Sequence, residues 1–401
     1  MNILFLTHRL PYAPNRGDRI RAYYLLREMS RFADVSLFSL VHDDEEASHI
    51  PDVRFARAVA TSRVSRSRNM ARGALRLLSD IPLTHSLLDA PDVDTKLTTL
   101  VASARPDVVF AFCSGMARFA MKAPLDTYPF VLDMVDVDSA KWAQLGRDAR
   151  GPKGWIYRRE ERTLRTFEAA AVSRAAMSLV VNQRERDSLR AVAPVGDIVV
   201  VENGIDTEAF RPPTPPAEIP RVIFCGVLDY APNEAGVLWF LKAVWPGVVA
   251  SRPDARFSIV GANPTSAIIQ AAASDSSVDM IGAVPSVQPH LWQSAVSVAP
   301  LHLARGLQNK VLEALAAGLP VVATPVVMEG LPVEVRRGCM EAAAASDFGD
   351  AILTLLNDTP DARARRARSA HLEVLEWPQR LHALEGIMEQ ASSSHAGAHA
   401  K

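Results

Sequence analysis

Residues 296–324, VSVAPLHLARGLQNKVLEALAAGLPVVAT, predict a strand, a glycine-containing loop, a helix, a second glycine and another strand. Gly306 allows close backbone approach where the predicted helix begins, and Gly318 ends the helix before the second strand. Lys310 and Glu313 lie three residues apart on one face of this helix. The first-turn amides have no partner within the helix, so they form an anion site that Lys310 reinforces. The segment therefore predicts a ligand site at the start of its helix.

The two charged residues also indicate a class of ligand. Glu313 lies one turn beyond the anion site, within reach of a hydroxyl group beside the anion. A phosphate next to a diol describes a nucleoside diphosphate, with pyrophosphate at the helix start and on Lys310 and with ribose on Glu313. The alternative is a solvent-exposed Lys–Glu pair of small energetic value, and spacing alone does not decide between the two.

Apolar runs of strand length alternate with helical patterns along the whole chain. They are NILFLT (2–7), VSLFSL (35–40), DVVFAF (107–112), FVLDMV (130–135), MSLVVN (177–182), DIVVVEN (197–203), RVIFCGVL (221–228), RFSIVGA (256–262), VDMIGAV (278–284), VSVAPL (296–301) and LPVVATP (319–325). Continuous apolar strands separated by helices indicate parallel sheets covered on both faces. Two such series predict an α/β protein with two doubly wound domains, which join near the proline-rich residues 202–220.

Composition excludes several classes of protein. The chain has 401 residues with a formal net charge of −1, and 48% of its residues are hydrophobic, as in ordinary globular proteins. No apolar run approaches the roughly 20 residues that span a bilayer. The N-terminus lacks the pattern of a secretory signal, and three isolated cysteines favour a reducing compartment, so a cytoplasmic location is expected.

Basic residues concentrate in the first half of the chain. Residues 1–200 contain 29 of the 44 Lys and Arg but only 24 of the 45 Asp and Glu, with runs at 57–76 and 158–165. A solvated helix face is one interpretation of these runs. The other is a basic surface that meets anionic lipid headgroups, at the inner face of the plasma membrane, or a phosphate-bearing acceptor. Nucleic acid is not an expected partner, because no aromatic or glycine pattern accompanies the arginines.

Five stretches of the chain, in the right order, resemble glycosyltransferases of family 4. NKVLEALAAGLPVVAT (309–324) is similar to the nucleotide-sugar signature of that family, and VVVENGIDTEAF (199–210) to its domain-crossing element. FCGVLDYAPNEAGVLWF (224–240) resembles the opening of the donor domain, and PYAPNRGDRIRAYYLLREMS (11–30) occupies the place of the acceptor-domain glycine loop. VLDMVDVDSAKW (131–142), with residues 304–314, resembles bacterial transferases of exopolysaccharide (PEP-CTERM-type) loci.

The resemblance implies a fold and a domain organisation. Family 4 enzymes have the GT-B fold, in which two Rossmann-like domains face each other across a cleft. The expected boundaries are 1–201 for an acceptor-binding domain and 202–375 for a nucleotide-sugar-binding domain. A C-terminal helix at 376–391, anchored by Trp377 and Leu381, is expected to pack back on the first domain, and 392–401 is expected to be disordered.

The resemblance also implies a reaction. A sugar moves from a nucleoside-diphosphate sugar to a glycan or lipid-linked acceptor with retention at the anomeric carbon, with no metal and no other cofactor. One departure from the family concerns Arg305, which stands where the family places a first Glu that contacts the sugar. We therefore expect Arg305 to contact the sugar or the phosphates of the donor, with an acceptor contact or a surface position as alternatives.

Candidate site residues follow from these patterns. Those expected near the reacting centre are Asp136, Lys310 and Arg305. Those expected to bind the donor are Glu313, Lys310, Gly306, Leu307, Gln308, Asn309, Gly226, Tyr230, Asn233, Gly261 and Val284. Those expected on the acceptor side are Gly17, Asp18, Asp138 and His8. Structural roles stay open for Asn233 as a helix cap, for Asp138 or Ser139 as a helix cap and for His8.

Three other functions compete with this interpretation. The Asp-Val-Asp sequence at 136–138 suits a metal-dependent transferase of the single-sheet GT-A type. The missing first Glu suits a regulator or scaffold that binds nucleotide sugar without turning it over. A Rossmann dehydrogenase is disfavoured, because no GxGxxG follows the first strand of either half.

Overall fold

The chain divides into two compact units, each with its own parallel sheet. The computed structural model of the protein describes residues 1–14, 17–147, 149–213, 219–304 and 307–396. One unit comprises Met1–Asn203 with Arg380–Lys401, and the other comprises Gly204–Gln379. Each sheet lies within an apolar cluster of its own.

The sheet of the first unit has seven strands in the order β3-β2-β1-β4-β5-β6-β7, all parallel. The strands are β1 Asn2–Thr7, β2 Asp34–Val41, β3 Ala58–Arg63, β4 Val108–Phe112, β5 Phe130–Val135, β6 Met177–Val180 and β7 Ile198–Val200. Central strand β4 is buried along its whole length, as expected for a sheet covered on both faces.

Helices connect these strands. They are α1 Gly17–Met29, α2 Asp44–Ser48, α3 Arg66–Leu75, α4 Leu83–Leu87, α5 Val93–Ala104, α6 Ser114–Ala120, α7 Asp138–Arg147, α8 Gly151–Arg174 and α9 Gln183–Val192, with 3₁₀ turns at Ile50–Asp52 and Arg76–Leu78. The basic run at 57–76 is therefore not one helix face. Its first part is the edge strand β3, and only α3 fits the solvated helix face.

The second unit repeats the same topology with six strands in the order β10-β9-β8-β11-β12-β13, again all parallel. The strands are β8 Arg221–Cys225, β9 Arg256–Val260, β10 Val278–Gly282, β11 Val296–Ala299, β12 Val321–Ala323 and β13 Cys339–Glu341. The strand order reverses between β1 and β4 in the first sheet and between β8 and β11 in the second. In doubly wound folds such a switch point is where ligands bind.

Among the described residues, the following helices connect, end or follow this unit. They are α10 Thr207–Phe210, α11 Ala231–Trp239, α12 Trp245–Ser251, α13 Ser266–Ala273, α14 Gln288–Trp292, α15 Asn309–Ala316, α16 Pro325–Glu329, α17 Val333–Arg336, α18 Ala345–Asn357, α19 Pro360–Arg368, α20 Trp377–Arg380 and α21 Leu384–Ala396, with a π-helical turn at Phe240–Val244 and a 3₁₀ turn at Leu372–Leu375.

The C-terminal segment forms two helices rather than the one predicted over 376–391. In the second unit, Trp377 of α20 is buried and packs so closely on Gly204 that a Cβ at Gly204 would lie 2.7 Å from the Trp377 backbone. In the first unit, α21 contacts β4 and β5. Leu381 is buried in the turn between the two helices.

The chain forms two parallel sheets, and this excludes the GT-A alternative, which has a single sheet.

Candidate functional site

The carboxyl ends of β8 and β11 lie at the switch point of the second sheet, and the polar residues singled out in this half follow these two strands. Gly226 comes directly after β8, and the loop after β11 leads into α15. Gly226 donates its N–H to Val260 O at 3.0 Å, and the β8 turn stays close to the end of β9. A Cβ on Gly261 would lie 1.7 Å from Gly226 O, so only glycine permits this close approach of the two backbone segments.

Lys310 lies in a pocket of side chains beside Gly226. Its Nζ donates to Asn233 Oδ1 at 2.6 Å and lies 4.5 Å from the centre of the Phe224 ring. Asn233 is itself fixed, because its Nδ2 donates to Val227 O at 2.8 Å. A Cβ on Gly226 would come within 3.0 Å of Lys310 Nζ. The absence of a side chain at position 226 therefore makes room for the ammonium group.

Burial shifts the pKa values of the ionisable groups at this site. It lowers the pKa of Lys310 to about 8, while nearby Cys225 and Glu313 act in the opposite direction. It raises the pKa of Glu313 to about 6, against the influence of Lys310. Burial also raises the pKa of Cys225 to about 12, so the thiol stays neutral. At neutral pH the site thus presents one ammonium and one carboxylate, each partly removed from water.

Helix α15 begins later than the sequence pattern predicts. Its first residue is Asn309, and Gln308 before it has an extended backbone, with φ −92° and ψ 98°. Leu307 and Gln308 therefore precede the helix instead of forming its first turn. Lys310 is the second helical residue and Glu313 the fifth, so one turn separates them. Arg305 and Gly306 lie outside the described residues.

The end of α15 follows the prediction. Gly318 adopts φ 80°, in the left-handed region that favours glycine, and donates its N–H to Leu315 O at 3.0 Å. Leu319 N–H donates to Ala314 O at 2.9 Å, which closes the helix before β12.

The other predicted donor-side residues have different surroundings. Asn233 does not cap α11, because it is the third residue of that helix and its side chain bonds Lys310 and Val227. Tyr230 precedes the helix and is exposed, while Val284 is half-buried against the apolar core. The structure brings Asn233, Lys310 and Gly226 together and leaves Tyr230 at the surface.

In the first unit, the turn after β5 carries the predicted acidic cluster. Asp136 is exposed, and Asp138 accepts a hydrogen bond from Ser114 Oγ at 2.8 Å. Burial raises the pKa of Asp138. Glu168 of α8 takes the capping role, accepting from Ser139 N at 3.1 Å and from Ser139 Oγ, and burial raises its pKa to about 7. Neither Asp138 nor Ser139 is therefore the cap.

His8, at the end of β1, contacts the end of β4. Its ring stacks on Phe112 with 5.8 Å between ring centres, and its Nδ1 lies 3.6 Å from Cys113 Sγ. Gly17 begins α1, and the side chain of Asp18 lies outside the described residues.

Sequence reasoning missed a buried ion pair beside this turn. Arg21 of α1 donates its Nε to Asp133 Oδ2 at 2.7 Å and its Nη1 to Asn203 Oδ1 at 2.9 Å. Asp133 also accepts from Val135 N at 3.1 Å and, through its backbone oxygen, from Cys113 N at 2.7 Å. Val135 and Cys113 have φ values of 61° and 72°, which are strained for these residue types. The one sequence feature that indicates this ion pair is the aspartate within the otherwise apolar strand FVLDMV, because a buried carboxylate needs a partner.

Two general features of the described part of the chain bear on partners. No group of three or more His, Cys, Asp or Glu among those residues is arranged to hold a metal ion. Every helix there is too short or too polar to cross a bilayer.

Comparison with solved structures identifies the fold as GT-B, with two Rossmann-like domains. Sucrose-phosphate synthase from Thermosynechococcus elongatus matches with a TM-score of 0.65 at 15% identity, over 98% of this chain and 100% of that one. HepE of Anabaena, in complex with UDP and glucose, matches with a TM-score of 0.62 at 13% identity, over 97% and 100%. TarM of S. aureus matches with a TM-score of 0.64 at 10% identity, over 97% and 99%.

Comparison of sequences is informative for the second unit. The family model described as Glycosyl transferases group 1 matches residues 219–358, which run from just before β8 to just after α18. This stretch includes Gly226, Asn233, Lys310 and Glu313. No curated protein matches the chain.

Proposed function

We propose that the protein is a glycosyltransferase that moves a sugar from a nucleoside-diphosphate sugar to a glycan or lipid-linked acceptor. The observation that carries the proposal is the partly buried Lys310–Asn233 contact at the switch point of the second sheet, with Glu313 one turn further along α15. The group 1 glycosyltransferase match covers this site. UDP in the HepE structures and in a TarM complex supports a nucleoside diphosphate as the donor's leaving group.

Each residue of the site has a role in this scheme. An ammonium has three N–H donors, so Lys310 can hold Asn233 and a phosphate oxygen together. The first amides of α15 add donors and the positive end of the helix dipole. Glu313 accepts hydrogen bonds from the ribose hydroxyls. We propose that Arg305 adds charge to the phosphates or contacts the sugar.

The reaction needs stabilisation of the leaving group more than a protein nucleophile. As the bond between sugar and phosphate breaks, negative charge grows on the diphosphate, and fixed donors with Lys310 stabilise it. We propose that the reaction retains the anomeric configuration, that a donor phosphate oxygen takes the acceptor proton, and that no metal cofactor is required. A role in exopolysaccharide synthesis rests on the resemblance of residues 131–142 and 304–314. The acceptor-side roles of Asp136, Asp138, His8, Gly17 and Asp18 stay predictions.

Nucleotide binding by a Glu313→Gln variant tests the proposal. The variant loses a charge-assisted hydrogen bond to ribose worth about 1.5–3 kcal/mol, so calorimetry should show binding of the preferred nucleoside diphosphate weakened about tenfold or more. Glu334→Gln, at an exposed position on α17, is the matched control and should bind normally. Unchanged affinity of Glu313→Gln for UDP, GDP and ADP alike would remove Glu313 from the site.

A binding protein without turnover is the second candidate, favoured by Arg305 at the position of the family's first Glu. This candidate predicts that the protein has no transferase activity. The wild-type chain would bind nucleotide sugar but would neither transfer nor hydrolyse it in the presence of lipid and glycan acceptors. Release of nucleoside diphosphate that depends on acceptor would exclude this candidate.

A further inference from the structure

Two basic segments that are far apart in sequence meet on one surface of the first unit. Residues 63–81 and 151–165 together contain ten Lys and Arg against three Asp and Glu, whereas the whole chain has 44 against 45. Leu77, Leu78, Trp155, Arg158 and Arg162 line a common groove of about 400 Å³. The positive charge of the first half is therefore concentrated locally.

The groove and the helix α3 that leads into it expose large apolar side chains. Leu78 is 93% exposed and Leu75 is 85% exposed, and they lie at the junction of α3 and the 3₁₀ turn that follows it. Met70 and Trp155 are 60% and 47% exposed. Isolated exposed apolar residues are ordinary, but several together among arginines indicate a binding surface.

This surface is held by buried bonds. Arg159 of α8 is 5% exposed and donates to four backbone oxygens of the turn, those of Arg76 at 3.0 Å, Leu77 at 2.8 Å, Ile81 at 2.8 Å and Ser79. A guanidinium used in this way fixes a segment that contributes little to the core. These bonds therefore fix the backbone of the turn that carries the exposed Leu78.

The neighbouring carboxylate extends the same anchor. Glu160 is fully buried, accepts from the backbone N–H of Leu83 at 2.8 Å and of Thr84 at 2.7 Å, and bonds Arg159 Nη1 at 3.1 Å. The segment from 76 to 84 is thus bonded to α8 at both ends. Beside it, Ile81, Pro82, Phe167 and Ala170 line a second, mostly apolar groove of about 420 Å³.

We propose that an arginine–leucine surface docks the protein on an anionic lipid membrane. It is made of the groove residues Leu78, Trp155, Arg158 and Arg162 and of the exposed residues of the adjoining helix α3, Arg66, Arg68, Met70, Arg72 and Leu75. Arginines attract anionic headgroups, while leucines and a tryptophan enter the boundary between headgroups and acyl chains. Both kinds of side chain are needed, which separates this surface from one that binds free phosphate or nucleic acid through charge alone. Asp80 and the partly buried Glu161 are the acidic residues beside it, and Asp80 contacts Arg162 at 3.5 Å.

Co-sedimentation of the full chain with vesicles tests the proposal. The protein should pellet with vesicles of phosphatidylcholine and phosphatidylglycerol, and not with vesicles of phosphatidylcholine alone. Binding should weaken as salt is raised, because the arginines act through screened charges. Equal binding to both vesicle types, or to neither, would overturn the proposal.

Matched variants test the leucines and the arginines of the surface, and the introduced glutamates act both by removing apolar area and by repelling anionic headgroups. Leu75→Glu/Leu78→Glu should weaken vesicle binding at least tenfold, and Val195→Glu, at an apolar residue that is 76% exposed elsewhere in this unit, should not. Arg68→Gln/Arg72→Gln should weaken binding about fivefold per residue, whereas Arg365→Gln/Arg368→Gln on exposed positions of α19 should have little effect. All four positions in the surface are exposed, so thermal melting should stay unchanged.

The same surface could instead join two copies of the chain, and light scattering tests this outcome. If light scattering showed a dimer that Leu75→Glu/Leu78→Glu dissociates, while vesicle binding was absent, the surface would join copies of the chain and the membrane proposal would fall. Nucleoside-diphosphate binding, measured on the same variants, should be unchanged throughout. This readout separates failure of the surface from failure of the proposed donor site, which lies in the other unit.

Discussion

Lys310 is a charged group whose surroundings suit an anionic ligand. Burial among Phe224, Asn233 and Cys225 lowers its pKa to about 8, so the free protein loses this proton as the pH rises through about 8. A bound diphosphate favours the ammonium form and holds the proton to higher pH. We therefore expect affinity for nucleoside diphosphate to fall as the pH rises above about 8, by up to tenfold per pH unit. Calorimetric titration across this range measures the fall.

A Lys310→Met variant shows whether Lys310 causes that pH dependence. It should bind weakly at every pH and should lose the alkaline decline, while Lys242→Met, at an exposed lysine of the same unit, should keep it. A decline that persists in Lys310→Met belongs to another group.

In the unligated protein, the effect of Lys310 on folding stability has the opposite pH dependence to its effect on ligand affinity. The folded pKa is below the unfolded value of 10.5, so this residue's contribution to stability rises with pH between about 8 and 10.5.

Single residues also show what sequence reasoning can and cannot find in a site. Helical spacing predicts that Lys310 and Glu313 lie one turn apart in a helix after a strand, and α15 contains both residues; their role in binding stays a prediction. The contact of Lys310 with Asn233 joins residues 77 positions apart, and no local pattern encodes it. Arg21 and Asp133 are 112 positions apart. The aspartate in an apolar strand signalled that a partner must exist, but only the fold identifies the arginine.

At the scale of elements, the turn after β8 depends on Gly226. A Cβ there would lie 2.9 Å from Asn233 Nδ2 and 3.0 Å from Lys310 Nζ. Gly226→Ala should therefore displace both side chains, destabilise the fold by roughly 1–3 kcal/mol and weaken nucleoside-diphosphate binding. Urea unfolding and calorimetry measure the two effects.

Gly247 provides the matched control for this substitution. It lies at an exposed position of α12, and a Cβ added to it meets nothing within 4 Å. Gly247→Ala should leave binding unchanged and stabilise the helix by about 0.5–1 kcal/mol. If Gly226→Ala behaved like Gly247→Ala, the turn would have no part in positioning Lys310.

Strand prediction succeeded for every interior strand of the two sheets and for two of the four edge strands, β7 and β10. All eleven apolar runs contain a strand. Nine of these strands are interior, and interior strands of a parallel sheet are buried on both faces and need apolar residues throughout. The two missed strands, β3 and β13, are edge strands with a neighbour on one side only. β3 is AVATSR and β13 is CME, so neither forms an apolar run. The late start of α15 was also missed, because helix ends are set by local backbone geometry rather than by apolar spacing.

At the scale of the whole molecule, two separate cores imply that two parts of the chain can respond separately to a ligand. The buried cluster of the second unit extends from Ile205 to Leu375, and a cluster of the first from Leu4 to Ile198. A ligand that binds one folded unit stabilises that unit by mass action. A single melting temperature for the chain would therefore conceal where the ligand acts.

Hydrogen exchange measured by mass spectrometry, with and without nucleoside diphosphate, resolves the two units. At a ligand concentration near 100 times Kd, the bound unit gains about 2.7 kcal/mol. We expect slower exchange in Gly204–Gln379, strongest in the turn after β8 and in α15, because these elements hold Gly226 and Lys310. The amides of β1 to β7 should change much less, since their sheet has its own core. Glu313→Gln should reduce the protection, and Glu334→Gln should not. Protection confined to the first unit would contradict the proposed donor site, because diphosphate binding would then be independent of Lys310 and Glu313.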